Sequence, residues 1–486
     1  MYANNSPHLG FALELIQADV IARYRRLMGD DVWFLTGTDE HGSTVAKAAA
    51  KMGTDPQNFV DDISEQVKDL TKKLNISNDD FIRTSDRERH WSGAVKFWNE
   101  LVEAGDLYKK KYKGLYCVGH ESFIKKSELI DNRCPLHKTL PEKIEEENWF
   151  FKLTKYKKEV KNKIESGELR IVPESRVKEV LNLIDDAEDI SVSRPTSALT
   201  WGIPVPNDLE QRIWVWLDAL PNYISAIGYR DNAKQFQKLW PADVHLVGKD
   251  ITRFHSLLWP AFLISAGLKL PKAIYVHGFI TVEGEKMSKT IGNVIDPFAL
   301  VDKYGVEPVR YFLLREISST GDGDFSYKKL EERYNGDLAN NLGNLVSRTA
   351  KLIETKLGGE LNFKAKFINS EVKEKVEKMS EEYKDAIKNF RLHEALASVW
   401  DLLGYANSFI DAHKPWAKDS KPEDVLETLT TILSIILNVA WFIKPFMPGT
   451  ADKIFRTFGA DDDYKTWVGR KFVIKGEGPL FPRLDI

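Results

Sequence analysis

The sequence predicts an α/β protein in which a parallel sheet is split by an insertion and followed by an α-helical bundle. Two strand–polar loop–helix units, one near residue 35 and one near residue 245, predict the sheet. A stretch rich in Lys and Glu between them predicts the insertion, and amphipathic periodicity from Arg333 onward predicts the bundle. The expected order is 1–107 for the first half of the sheet domain, 108–207 for the insertion, 208–332 for the second half, and 333–486 for the bundle with a C-terminal tail. A chain of 486 residues is long enough for several domains and a substantial core.

Each element has its own signal. From Phe11 to Met28 apolar residues recur at helical spacing (Leu13, Ile16, Val20, Tyr24, Leu27), and Gly29 suits a helix C-terminus. Val32-Trp33-Phe34-Leu35 is a continuous apolar run, as in a strand buried on both faces, and leads into the polar loop from Thr36 to Gly42. The carboxyl edge of such a sheet is where ligands bind. In the second unit, Val244 to Val247 reads as a strand, Gly248-Lys249-Asp250 as a loop, Ile251 to Ala266 as a helix and Ala273 to His277 as another strand. Bundle helices run to about Phe458, and a tail containing Gly and Pro follows. The most apolar stretch, Leu429 to Ile443, carries Thr, Ser and Asn and stops at Lys444-Pro445, which predicts a buried bundle helix and not a membrane span. No apolar run precedes the loop at Pro7, so either an upstream segment is missing or the sheet lacks a first strand.

Composition narrows the function classes. With 43% hydrophobic and 29% charged residues the chain reads as an ordinary soluble protein. A net charge of −3 excludes a global attractive field for nucleic acid, so any such contact must rest on a local patch. Only 2 cysteines argue for a reducing compartment and against a disulfide framework. No signal-peptide pattern opens the chain.

Two short loops carry the chemistry. In Pro7-His8-Leu9-Gly10, Gly10 permits close backbone approach, the following helix aims its N-terminus at the same spot, and His8 can donate to a phosphate oxygen. In Lys286-Met287-Ser288-Lys289-Thr290, flanked by Gly284 and Gly292, two ammonium groups can meet the charge that develops as a polyphosphate bond breaks. The insertion adds Cys117-Val118-Gly119-His120 and Cys134-Pro135-Leu136-His137, the ligand spacing of a structural zinc knuckle; a knuckle that has lost its metal would show the same pattern. Lysines 109 to 111 and 113 form either a basic patch or a solvated face. In the bundle, Asn340, Asn344 and Arg348 are spaced to share one helix face, and Trp416 after Pro415 offers a stacking surface for an unpaired base.

The two loops resemble the His-x-Gly-His and Lys-Met-Ser-Lys signatures of class I aminoacyl-tRNA synthetases. The resemblance narrows to the methionyl-tRNA synthetases and covers nearly the whole chain. It is carried by Tyr2-Ala3-Asn4, Gly37-Thr38-Asp39-Glu40-His41-Gly42, Val215-Trp216-Leu217-Asp218-Ala219, Gly248-Lys249-Asp250 with Phe254-His255-Ser256, His277-Gly278, Asn344-Leu345-Val346-Ser347-Arg348 and Lys414-Pro415-Trp416. It implies a nucleotide-binding, Rossmann-like domain with an inserted connective domain and a helical anticodon-binding domain. It also implies a reaction: methionine and ATP give methionyl-adenylate, and methionine then passes to the terminal ribose of its tRNA.

By the family's pattern Asp39 binds the α-ammonium, while Tyr2, Trp216, Ala219, Tyr223 and His255 line the side-chain pocket. His8, Gly10, Lys286 and Lys289 act in catalysis and, with Lys249, Asp250 and Ser288, bind ATP and its Mg2+. Asn340, Asn344, Arg348 and Trp416 grip the anticodon, and Cys117, His120, Cys134 and His137 hold zinc, with His120 where the family usually has cysteine. The expected partners are methionine, ATP and methionine tRNA, with no membrane, in a monomer located in the cytoplasm or an organelle interior. Phe11 replaces the second signature histidine and Thr290 a serine. Phe11 keeps open a tRNA-binding relative with weak or lost activation chemistry. A small nucleotidyltransferase built around the histidine loop would leave the lysine loop, knuckle and bundle unexplained.

Overall fold

The computed structural model describes residues 1–119, 121–135, 138–287 and 292–485, with Lys286 described by its backbone alone. Contacts divide the chain into two compact units. One comprises Met1–Pro7, Trp33–Lys72 and Asn78–His277; the other comprises His8–Val32, Lys73–Ser77 and Gly278–Ile486.

In the first unit, β1 (Leu35–Thr38) pairs in parallel with β2 (Asp80–Arg83). The strand expected at Val32–Leu35 therefore starts where that run ends, and Trp33 is 41% exposed. Gly37 explains the shift: a Cβ there would stand 2.1 Å from the Ile82 carbonyl oxygen, so the glycine-bearing polar run is what can lie flat against β2. No strand precedes β1 among the described residues, but the opening residues lie alongside it. The Met1 ammonium donates to Gly37 O at 2.9 Å, Asp39 N–H donates to Met1 O at 2.8 Å, and Tyr2 bridges Asp39 in parallel.

The middle of this unit is antiparallel. β3 (Leu107–Cys117) pairs with β4 (Ser122–Ile124) and, over ten positions from Leu107 opposite Phe151 to Tyr116 opposite Glu142, with β5 (Glu142–Phe151). β6 (Arg170–Val172) instead pairs in parallel with a later strand, whereas β7 (Ile190–Ser191) pairs with β5. β8 (Ser193–Pro195), β9 (Pro204–Val205) and β10 (Asp208–Ile213) form a small antiparallel sheet. β11 (His245–Gly248) and β12 (Ala273–His277) complete the second parallel sheet, in the order β11-β12-β6. All five residues of β12 are buried, as its apolar sequence requires.

The helix expected from Ile251 to Ala266 is instead a short 3₁₀ turn (Lys249–Ile251), a π segment (Phe254–Leu258) and an α-helix (Trp259–Ser265). Pro260 has no N–H to donate to the preceding turn, which opens that turn. The core gathers around Phe97, Trp98, Phe151, Trp259 and Phe262.

The second unit begins with the helix Leu9–Leu27. β13 (Ile280–Val282) pairs antiparallel with β14 (Glu285–Lys286) and parallel with β15 (Gly323–Phe325). Long helices follow: Asn344–Leu357, Ser370–Lys388, Leu392–His413, Pro422–Ile443 and Pro448–Phe458. Pro422–Ile443 is long and apolar enough to cross a membrane, but 78% of its most apolar window is packed inside the fold, the mark of a bundle core helix. β16 (Glu360–Asn362) and β17 (Lys471–Val473) tie the tail back to the bundle. Arg310 is fully buried, pairs with Asp19 at 2.7 Å and donates to the carbonyls of Leu74 and Phe446, joining four stretches of chain.

Candidate active site

The first unit contains a cavity of about 120 Å³ at the carboxyl edge of β1, lined by Tyr2, Asp39, Gly119, Glu121, Val215, Trp216, Ala219, Asp250, Ile251 and Phe254. Tyr2, Asp39, Trp216, Ala219 and Asp250 were singled out from sequence, and the fold brings them to one space. Strand pairing does part of this, since the Tyr2–Asp39 bridge sets those residues side by side. Trp216 is fixed by stacking on Phe254, with ring centroids 3.7 Å apart and planes at 10°. Tyr223 and His255 are not on this lining. Tyr223 Oη and His255 Nε2 are 2.8 Å apart, and the His255 ring stands edge-on to Trp216 at 6.4 Å. Because His255 Nδ1 meets the Ile251 carbonyl at 3.1 Å, Nδ1 carries the proton and Nε2 accepts from Tyr223.

Phe254, Val215, Ile251, Gly119 and Glu121 were not assigned to the site from sequence. Phe254 stood inside a family motif, but no spacing rule pairs it with a tryptophan 38 positions earlier. The signal for Glu121 was fainter still, since it is one acid in a segment full of them.

Electrostatics distinguish two neighbouring acids, Asp39 on the cavity lining and Asp218 off it. Burial pushes the Asp39 carboxyl above its ordinary range; the N-terminal ammonium opposes this, the Asp218 charge adds to it, and Asn222 Nδ2 donates to Asp39 Oδ1 at 3.1 Å. Asp218 is pushed up by burial too, but His41 (2.5 Å) and His90 (2.9 Å) outweigh that and hold it low. His245, against which Tyr223 stacks at 4.1 Å, is pushed down to about 3 by burial and by the neighbouring His255, so it is neutral near pH 7. The result is a desolvated carboxylate poised to gain from a cation, in a cavity whose lining also carries Glu121, Asp250 and the apolar Val215, Trp216, Ala219, Ile251 and Phe254.

In the second unit His8 is the N-cap of Leu9–Leu27, and its Nδ1 accepts from the Gly10 N–H at 3.1 Å, which leaves the proton of the neutral ring on Nε2. A Cβ on Gly10 would stand 3.0 Å from the His8 ring, so this glycine leaves room for the ring to cap the helix. Phe11 is only 7% exposed and packs inward. Lys286 lies in β14 by its backbone; Ser288, Lys289 and Thr290 lie outside the described residues. Of the remaining nucleotide-side candidates, in the first unit, Lys249 is half-buried and Asp250 exposed.

In the bundle the Arg348 guanidinium lies 4.2 Å over the Trp416 ring and pairs with Asp411 at 2.7 Å. Asn340 and Asn344 are exposed. Asn340 falls in a π segment, Tyr334–Gly343, so the α-helical spacing assumed for the three residues holds only from Asn344 onward.

Cys117 closes β3 and Cys134 sits in a turn where Lys138 N–H donates to its carbonyl at 2.8 Å; both sulfurs are buried. His120 and His137 lie outside the described residues, and among those described no cluster of three or more metal-type ligands occurs. The lysine run faces the acidic strand β5: Lys113 pairs with Glu145 at 3.1 Å, and Lys109 pairs with Asp208 at 2.7 Å. Those two charges are locally balanced, which favours the solvated-face reading.

Residues 1–136 and 124–350 match the family described as tRNA synthetases class I (M), and residues 369–473 match the anticodon-binding domain of tRNA ligase. The chain is 44% identical to the methionine–tRNA ligase of Caldanaerobacter subterraneus subsp. tengcongensis, over 100% of its own length and 78% of the relative's. It is 40% identical to that of Rickettsia felis, over 95% of this chain and 91% of the relative. Among solved structures, Mycobacterium tuberculosis methionyl-tRNA synthetase bound by methionyl-adenylate is similar with a TM-score of 0.93 and 36% identity, covering 99% of this chain and 98% of that one. A match of this identity over the full length, with catalytic and anticodon-binding families in order, places the chain: it belongs to the methionyl-tRNA synthetases of class I.

Proposed function

We infer that the chain is a methionine–tRNA ligase, which activates methionine with ATP and transfers it to the terminal ribose of its tRNA. The observation that carries this reading is the cavity: one poised carboxylate, Asp39, beside the stacked Trp216–Phe254 wall. An amino acid with a cationic α-ammonium and an unbranched thioether side chain suits those two features, since sulfur packs well against rings. Activation joins a methionine carboxylate oxygen to the α-phosphorus of ATP and releases pyrophosphate.

Asp39 holds the ammonium; Tyr2, Trp216 and Ala219 form the pocket, with Tyr223 and His255 supporting Trp216. His8, Gly10, Lys249, Asp250, Lys286, Ser288 and Lys289 serve the nucleotide, His8 offering its Nε2–H and the lysines meeting charge on the departing pyrophosphate. Magnesium accompanies ATP and shields its phosphate charge. Asn340, Asn344, Arg348 and Trp416 receive the anticodon. Zinc, held by Cys117, His120, Cys134 and His137, would lock the knuckle; two buried sulfurs at turns of one antiparallel unit support this assignment. We place the enzyme as a monomer in the cytoplasm or an organelle interior, without a membrane.

The non-catalytic relative is not favoured, because the full-length relatives are ligases and Phe11 is a packed interior residue. Incubation with methionine, ATP and methionine tRNA should yield charged tRNA, scored by the shift of its aminoacylated form. tRNA that binds without being charged would favour the non-catalytic relative.

A further inference from the structure

We propose that Glu121 is a positioning residue for the cavity: its carboxylate fixes the Tyr2 wall and ties that wall to the tip of the insertion. Glu121 is 4% exposed, yet it is surrounded by donors. Its Oε1 accepts from Tyr2 Oη at 3.1 Å and the Thr44 N–H at 2.6 Å; Ser43 Oγ lies 3.0 Å from both oxygens, and Tyr116 Oη donates to Oε2 at 3.4 Å. Ser43 and Thr44 open the helix Ser43–Lys51, whose unpaired N–H groups and positive end favour an anion there. The Glu121 carbonyl accepts from Trp214 Nε1, and Tyr116 is in turn covered by the Arg194 guanidinium at 4.0 Å. Both arms of the latch are anchored.

Two backbone features are shaped around this contact. Glu121 has φ 50°, the left-handed region, which a residue with a Cβ occupies only where its surroundings hold it. Gly42 has φ 122°, and a Cβ there would stand 2.3 Å from Tyr2 Oη and 3.1 Å from Glu121 Oε1. The glycine ending the Gly37–Gly42 motif thus keeps open the space in which Tyr2 reaches Glu121. Tyr2 has one hydroxyl proton to give. Burial and the Glu121 charge hold that hydroxyl well above its ordinary range, so it remains a donor. Donation to Glu121 locks the ring on the cavity face beside Asp39, where a sub-ångström wall shift alters the fit of a guest.

This inference rests on reading the cavity as the methionine site. The test is methionine-dependent pyrophosphate exchange with Glu121→Gln, Tyr2→Phe, the double variant and Asp39→Asn. Glu121→Gln and Tyr2→Phe should each raise the methionine KM by roughly tenfold, the worth of one charge-assisted hydrogen bond. For Glu121→Gln the ATP KM and kcat should stay near wild type, and the double variant should raise the methionine KM by clearly less than the product of the two single effects, because both act on the same Tyr2–Glu121 contact. Asp39→Asn with an unchanged methionine KM would defeat the cavity reading and this proposal together. Asp39→Asn with a raised KM, but Glu121→Gln silent or multiplying with Tyr2→Phe, would defeat the proposal alone. Should Glu121→Gln not fold, Tyr2→Phe decides: an unchanged methionine KM overturns the latch.

Discussion

Asp39 concentrates the chemistry of the first unit in one residue. Its carboxyl is desolvated and faces another acid, which is unfavourable for the isolated protein and turns into affinity when an ammonium arrives. The sign follows from the raised value. In the folded chain the neutral form is favoured relative to the unfolded chain, so ionisation subtracts stability as pH rises past the ordinary carboxylate range. Asp39→Asn should therefore melt no lower than wild type at pH 7, while the methionine KM rises tenfold or more because a charge-assisted contact is lost. The wild-type methionine KM should also climb on acidification sooner than an ordinary carboxylate would allow. Melting curves and KM measured between about pH 5 and 8 check both; a sharply destabilised Asn variant would make Asp39 a structural anchor instead.

Elements built from strong local pattern were legible in the sequence, and those set by distant partners were not. Ala273–His277 is a strand at the expected residues because a short, mostly apolar and β-prone run suits a doubly covered strand. The bundle helices, including Pro422–Ile443, follow from periodicity over many turns. The first strand was misplaced because Gly37 matters only once Ile82 lies against it. The π segments at Phe254–Leu258 and Tyr334–Gly343 leave no trace in an apolar pattern tuned to α spacing. Half of the cavity was read from family motifs; Glu121 and Phe254 escaped because their partners Tyr2 and Trp216 are far away in sequence. The same logic governs the helix Leu9–Leu27. Its Asp19 is pushed up by burial, but Arg310 and Arg23 outweigh this and hold it low. Arg310→Ala should cost about 3–5 kcal/mol by taking one of two guanidinium partners from the buried Asp19 carboxylate and a donor from the Leu74 and Phe446 carbonyls. Urea unfolding measures this; a loss under about 1 kcal/mol would mean that water reaches Asp19.

Across the whole molecule, the cavity belongs to the first unit, and the Arg348–Trp416 pair belongs to the helical part of the second. No bundle residue lines the cavity among the described residues. Trp416→Ala should thus weaken tRNA charging by roughly tenfold or more, the worth of one base stack, and leave pyrophosphate exchange near wild type. Equal damage to both would make Trp416 a folding residue.

The central claim is that this chain activates methionine, and exchange of labelled pyrophosphate into ATP tests it most directly. Wild type should exchange only when methionine is supplied. Lys289→Ala should lower the rate by about 10²- to 10³-fold with little change in the methionine KM, because its ammonium meets charge mainly in the transition state. Absence of methionine-dependent exchange in pure, folded wild-type protein would contradict the account.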